Sequence, residues 1–378
     1  MAKVTILGAG NAGHSFAYDI AQNGGKVMLF EHPDFAKSLN GIKEKGGIEA
    51  VPELPSEVGG AKAFMSGFAK VTMVTTDPQE AMNFSDIVIM CVPAFGQETI
   101  FKLVMPHLRD GMILCILPGN FASLIFSKMM REAGIDVKVT FVEASSIPYA
   151  VRVIGPGQIY MLAKKTELSI GVFPSAMTKK TAEKLKEVLL LKLELDDNIF
   201  AAAMNNGNII IHVPTATLGM GPMESRQGKI QFYAEGASDT VCKVLEAMDR
   251  ERLAVGAAYG LKLPTFVEIV NTFYSLNMNS IRDFSKNSPY HNLVPNDSPK
   301  SPKERYISED CPFACVPIYF LGKLAGVDVS TFEAIIHIDG IYNDTNYFEE
   351  GRNLKKLGLY GMKTRDIQSY LETGIYKI

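Results

Sequence analysis

Three groups of residues in this chain have types and spacings that could do chemistry. The first is in NNGNIIIHVPTATL, where Asn205, Asn208 and His212 recur at i, i+3 and i+7 in a segment apolar enough to be buried. That spacing puts all three on one face of a helix. Pro214 cannot donate to the carbonyl of Ile210 and pushes Val213 out of helical geometry, so the helix is expected to kink beside His212. Polar side chains left unpaired in such a place would cost about 1–3 kcal/mol each. An imidazole, with an unperturbed pKa near ~6.5, can give and take a proton at neutral pH. The local pattern leaves two readings open, an acid/base catalyst and a hydrogen-bonded core histidine.

The second group is in RYISEDCPFACVP, with Arg305 five residues before Asp310. A guanidinium suits a two-pronged grip on a carboxylate. A carboxylate suits holding a histidine in one tautomer and stabilising its cation. Taken alone, the same residues read as a surface arginine and a helix N-cap.

The third group is a glycine turn. Gly8, Gly10 and Gly13 form G-x-G-x-x-G between an apolar β-branched run, KVTIL, and a helical pattern. Gly8 permits the tight turn, Gly10 lets backbone approach a pyrophosphate, and Gly13 lets helix and strand pack closely. Asn11 and Ala12 open the helix, whose free N–H groups favour phosphate. Glu31 ends a second strand pattern, KVMLF, where an acid would accept ribose hydroxyls. A carboxylate there repels a 2′-phosphate, which favours NAD(H) and leaves NADP(H) open. Two further turns, CVPAF with Val92 and Pro93, and LPGNF, fall at strand ends where such a cofactor would lie.

The elements that must position these groups fall into two halves. Up to about residue 196, short apolar strands alternate with helices, which implies a parallel sheet covered on both faces. A Gly-rich excursion runs from about Gly46 to Lys70, and an amphipathic helix, AMTKKTAEKLKEVLLL, is expected to close this half. Beyond it, helical patterns dominate, interrupted by a Pro/Asn/Ser-rich loop, SKNSPYHNLVPNDSPKSPKE, expected to be exposed. The expected fold is an α/β Rossmann-type domain with a mostly parallel sheet at 1–196, then an all-α substrate domain at 197–378.

Composition excludes several classes. A net charge of −3 with no basic patch speaks against a nucleic-acid partner. The longest apolar runs are too short to cross a bilayer, and no secretory leader pattern opens the chain. The five cysteines lack metal-site spacing, so no metal is expected, and they read as reduced thiols in a cytoplasmic protein. Among the other histidines, His14, His32 and His107 read as surface residues, His291 as a loop residue and His337 as a core residue. Glu143 reads as structural.

The chain resembles the opine dehydrogenases, the octopine and nopaline dehydrogenase group. The segments that carry the resemblance span nearly the whole length: GAGNAG, SDIVIMCVPAFGQ, ILPGNF, NIIIHVP, FYAEGASDTVCKVLEAMDRERL, RYISEDCPFACVPI and EEGRNLKKLGLYGM. The resemblance implies reductive condensation of an α-keto acid with the amino group of an amino acid, by hydride transfer to the imine. It implies His212 as acid/base, Asp310 as its partner and Arg305 as the carboxylate clamp. Separately from the resemblance, Asn208 and Asn205 share the face of His212 and are candidate contacts to substrate or nicotinamide. Two rivals share the two-domain plan: a 2-hydroxy-acid or glycerol-3-phosphate-type dehydrogenase, and an idle NAD(H)-binding regulator. A homodimer through the helical half stays open.

Overall fold

The central apolar runs of the first half assemble as a sheet because both of their faces are buried. The structure, a computed structural model, describes residues 2–53, 62–292 and 298–377. These fall into two units, Met1–Ile199 and Phe200–Ile378. The first holds strands β1 (Lys3–Leu7), β2 (Lys26–Phe30), β3 (Gly47–Ala50), β4 (Gly67–Lys70), β5 (Met73–Thr75), β6 (Ile87–Met90), β7 (Ile113–Ile116), β8 (Thr140–Ala144), β9 (Tyr149–Gly155), β10 (Gln158–Lys164), β11 (Glu167–Phe173) and β12 (Lys192–Leu195). Eight of them form one sheet in the order β12-β11-β8-β7-β6-β1-β2-β5. From β5 to β8 every pairing is parallel, with Leu7 opposite both Phe30 and Met90. β11 then joins antiparallel to β8, and β12 pairs parallel with β11. Val4, Ile6, Leu29, Ile89, Cys115 and Val142 belong to its core; full burial of such a side chain is worth roughly 1.5–3 kcal/mol.

Helices Asn11–Gln22, Pro78–Phe84, Ala94–Val104 and Ala122–Glu132 link the parallel strands. Their starts follow local chemistry. Asp77 accepts from the N–H groups of Gln79 and Glu80 at the head of one. Buried Glu143 accepts from the N–H groups of Phe121 and Ser123, both at 2.8 Å, at the head of another, which is its structural role. The Gly-rich excursion supplies β3 and β4 to a second sheet, β4-β3-β10-β9; its residues 54–61 lie outside those described. That sheet is pinned to the first helix by Asp19, which is 2.6 Å from Lys164 Nζ and accepts the Tyr149 hydroxyl at 2.7 Å. The closing helix is shorter than its sequence pattern, Thr178–Leu185, and the chain returns as edge strand β12, a strand the sequence reading did not include.

No strand occurs among the described residues of the second unit. Its longest helices are Asn208–Ser225, Asp239–Ala258 and Ser330–Tyr342. The helix Phe266–Tyr274 starts at a reciprocal cap between Thr265 and Glu268. No helix among the described residues is long and apolar enough to cross a membrane.

Candidate active site

In the first unit, β1 ends at the point where the sheet's order reverses: β2 and β5 lie to one side of β1, and β6, β7 and β8 to the other. Ligands of open parallel sheets bind at such a switch point, beyond the carboxyl ends of the strands. Gly8 has a φ of +102°, and a Cβ there would stand 2.5 Å from Val92 Cγ1, so the turn after β1 abuts the turn after β6. A Cβ on Gly13 would fall 1.7 Å from the Gly8 carbonyl oxygen, which fixes the helix tightly against the turn. Gly10 is different: nothing lies within 4 Å of a Cβ built there. It heads the helix Asn11–Gln22, and no side chain caps that helix. An open approach and uncapped N–H groups are what a pyrophosphate needs.

Glu31 follows β2 and turns back to the turn, its carboxylate accepting from Ala9 N and His32 N, both at 2.7 Å. Ala12 is buried, Val92 is half-buried, and Pro93 heads the helix Ala94–Val104. Asn11 also ties the two sheets together, since its Oδ1 accepts from Val153 N at 2.7 Å and holds β9. These residues fit a dinucleotide. His14 corrects its surface reading. It is 2% exposed, its Nδ1 lies 3.1 Å from the Gly10 carbonyl, and burial lowers its pKa. The first helix is buried from Ala12 to Ile20, which takes His14 inside with it.

In the second unit, the structure brings His212 and Asp310 together. His212 Nδ1 lies 3.0 Å from Asp310 Oδ2, across 98 residues of sequence. With Asp310 accepting the Nδ1 proton, Nε2 carries the lone pair. That lone pair meets the Tyr233 hydroxyl at 3.2 Å. Tyr306 and Phe232 add aromatic walls, with ring centroids 4.7 and 5.8 Å from the imidazole. His212 is half-buried, so a reactant can reach it.

The elements that set this geometry depart from the local pattern in two ways. The helix carrying His212 begins at Asn208, after a break at Asn205–Gly207 where the Asn206 side chain accepts from Asn208 N. Asn208 and His212 therefore share a helix one turn apart, and both are half-buried. Asn205 does not share it. It is buried, and its Oδ1 is 3.5 Å from Nη1 of Arg252, a buried residue that also binds Asp249. Asn side chains compete for backbone groups, and Gly207 weakens the helix further, so the NNG triplet ends one helix and starts the next. Val213 keeps helical geometry ahead of Pro214, and the helix continues through Pro214 and Pro222 without a break.

Both partners of His212 sit at π-helical turns, Phe232–Gly236 for Tyr233 and Cys311–Cys315 directly after Asp310. Asp310 stands at an N-cap position, but its side chain makes no cap hydrogen bond and turns to His212 instead. Arg305 is two-thirds exposed, with Nε paired to the buried Glu309 carboxylate. Its terminal amino groups have no partner among the described residues. The structure does not place it against His212.

Tyr233 and Tyr306 were not singled out from sequence. Tyr306 had a legible signal, four residues before Asp310 and so one turn away on the same face; Tyr233 had none. His291 packs on Tyr233, Tyr274 and Phe284 at 4.8–4.9 Å, so it belongs to an aromatic cluster and not to a free loop; residues 293–297 of that segment lie outside those described. His107 is half-buried, and His337 corrects its core reading: it lies on an exposed face of the helix Ser330–Tyr342. No group of three or more potential metal ligands occurs among the described residues.

Residues 195–343 match the family model for the NAD/NADP octopine/nopaline dehydrogenase α-helical domain, and residues 3–117 match that for coenzyme F420-dependent NADP oxidoreductases. An opine dehydrogenase of Arthrobacter sp. (strain 1C) is 27% identical over 97% of this chain and 98% of its own. The protein ocs of Agrobacterium tumefaciens (strain Ach5) is 24% identical over 97% and 98%. Among solved structures, octopine dehydrogenase with NADH and agmatine superposes with a TM-score of 0.77 at 18% identity, over 100% of this chain and 99% of that one. Yersinopine dehydrogenase with NADP+ gives 0.69 at 15%, over 98% of each chain.

Proposed function

Since this chain belongs, through the α-helical domain at 195–343, to the NAD/NADP octopine/nopaline dehydrogenase family, we propose that it joins an α-keto acid such as pyruvate to the amino group of an amino acid. It is an NAD(P)-dependent oxidoreductase acting on CH–NH groups. The relatives' solved forms hold NADH, NADP+, pyruvate, L-arginine and agmatine, each named for that protein. In this chain residues 1–196 bind the dinucleotide and 197–378 bind substrate. Glu31 at the ribose position makes NADH the favoured form.

NADH supplies the hydride when bound; the chain's own residues handle protons, charge and position. His212, held by Asp310 in the Nδ1–H tautomer, takes a proton from the substrate ammonium, which frees the amine to attack the keto carbon. The resulting imidazolium returns the proton to the departing hydroxyl, which leaves as water. Asp310 stabilises the imidazolium between these events. The free amino groups of Arg305 grip a substrate carboxylate, and Asn208 contacts substrate from the same helix face as His212. The observation that supports this most is the 3.0 Å contact between His212 and Asp310. Five buried thiols suit a reducing compartment, so we place the enzyme in the cytoplasm. Exposed Leu218, Ile341 and Tyr342 offer the helical unit an apolar patch for a homodimer, which light scattering would reveal.

The test is NADH oxidation with pyruvate, glyoxylate or 2-oxoglutarate, each with and without every common amino acid. Amine-dependent turnover is expected. Equal turnover without amine would make the protein a 2-hydroxy-acid dehydrogenase.

A further inference from the structure

The lone pair of His212 Nε2 is the group that must meet substrate, yet the Tyr233 hydroxyl already occupies it. Two outcomes are open to a tyrosine in that position: it swings away when substrate arrives, or it stays and transmits the proton. Its surroundings favour the second. The Tyr233 ring is packed against Phe232 at 5.1 Å, His291 at 4.8 Å and Phe284 at 6.3 Å. Phe232 is fully buried and tilted against Tyr306 at 4.6 Å, and both rings pack on the imidazole. Its backbone lies in a π-helical turn held by Gln231 N donating to Glu235. Arg282 braces that turn by donating to the carbonyls of Ala234 and Ala237, both at 2.9 Å. The ring is caged while its residue stays partly exposed.

We propose that Tyr233 is a catalytic residue that carries the proton between His212 and the substrate. This rests on the condensation reading above. On the way in, the substrate ammonium gives a proton to the Tyr233 oxygen as the Tyr233 O–H proton moves to His212 Nε2; the amine is freed and the imidazolium forms. On the way out, Nε2 returns its proton to the Tyr233 oxygen as the phenol proton moves to the carbinolamine hydroxyl. The C–O bond breaks, water leaves, and the nitrogen lone pair forms the C=N bond. Tyrosine ends each transfer as a phenol, so it is neither consumed nor required to ionise freely.

The test compares the wild type with Tyr233→Phe, which keeps the ring in its cage. In the substrate-free enzyme, ¹⁵N spectra of labelled histidine should show His212 as the Nδ1–H tautomer in both, with the Nε2 resonance moving toward the unbonded position in Tyr233→Phe. An unmoved resonance overturns the contact on which the proposal stands, and this arm needs no turnover. With NADH, pyruvate and the amino acid best used by the wild type, Tyr233→Phe should lower kcat by about 10²-fold with KM for both substrates nearly unchanged. The solvent-deuterium proton inventory should change from curved to linear. A kcat near the wild-type value would mean that the tyrosine only fills the empty site and moves aside. If the wild type itself shows no amine-dependent turnover, the condensation reading fails while the spectroscopic arm still reports on Tyr233.

Discussion

At the scale of single residues, the site rests on one imidazole with a different partner on each nitrogen. Asp310 fixes the tautomer, Tyr233 meets the lone pair, and neither relation is visible in the local sequence. Removing the imidazole should cost what general acid–base catalysis supplies, about 10²–10⁴ in rate. We expect His212→Gln to lose kcat in that range while its NADH affinity, read by fluorescence titration, stays at the wild-type value. Arg305 has a different expected signature. Glu309 engages its Nε side and leaves the terminal amino groups free for a carboxylate. Arg305→Ala should raise the keto-acid KM about tenfold or more, on the order of 1.4 kcal/mol of lost binding, with a much smaller change in kcat. An unchanged KM would remove this exposed arginine from the site. His212 and Asp310 stood in separate segments of the sequence, and only the tertiary structure brings them together. Asn205 was misplaced because helical spacing was carried across an Asn-Asn-Gly break, and Tyr233 was missed because only tertiary packing delivers it.

At the scale of elements, the glycine turn separates cofactor binding from folding within six residues. Gly10→Ala adds a methyl group where the protein itself leaves open space. Its melting temperature should match the wild type, and its Kd for NADH should rise about tenfold or more. Gly13→Ala drives a methyl group into the Gly8 carbonyl and should destabilise the whole first unit, by about 1–3 kcal/mol or more. If both variants bound NADH normally, the turn would not be the cofactor's seat. The Asp310 segment is fixed in a comparable way by the closing EEGRN stretch. Arg352 N donates to the Pro312 carbonyl at 2.9 Å, and a Cβ on Gly351 would lie 2.8 Å from that same oxygen. β1, β2, β6, β7 and β8 were readable because each is apolar and buried on both faces. β12 was not, because KLEL is a largely exposed edge strand whose alternation is too short to stand out. Helix continuity through Pro214 was not readable either. The buried helix tolerates the lost hydrogen bond because its neighbours are packed around it, with Val213, Pro214, Thr215 and Ala216 all buried.

At the scale of the whole molecule, the second unit buries an acid that local patterns gave no reason to expect. Asp339 is fully buried on the helix Ser330–Tyr342, with Thr217 donating to its Oδ1 at 2.7 Å. Cys311 and Cys315 of the π-helical turn and Tyr347 also lie close enough to interact with it. Burial pushes its pKa up to about 7. Below about pH 4 the carboxyl is neutral in folded and unfolded chains alike. Between there and about pH 7 only the unfolded chain ionises, so stability falls as pH rises; above that the penalty levels off at roughly 4 kcal/mol. Asp339→Asn should therefore flatten the dependence of Tm on pH between 4 and 7 and melt higher than the wild type at pH 8. A steeper dependence in the variant would contradict a neutral buried acid. The succession of an α/β half and a helical half was legible in the sequence, from the loss of strand patterns after the first half, even though the contacts inside each unit were not.

The reaction is tested most directly by mass analysis of the product formed by the purified enzyme from NADH, pyruvate and an equimolar mixture of amino acids. The expected product is a secondary amine dicarboxylate, the amino acid with pyruvate's three-carbon skeleton joined to its nitrogen and one pyruvate oxygen lost as water, formed in step with NADH consumption and absent when amine is omitted. Lactate as the sole product, at the same rate with or without amino acids, would contradict a condensing enzyme.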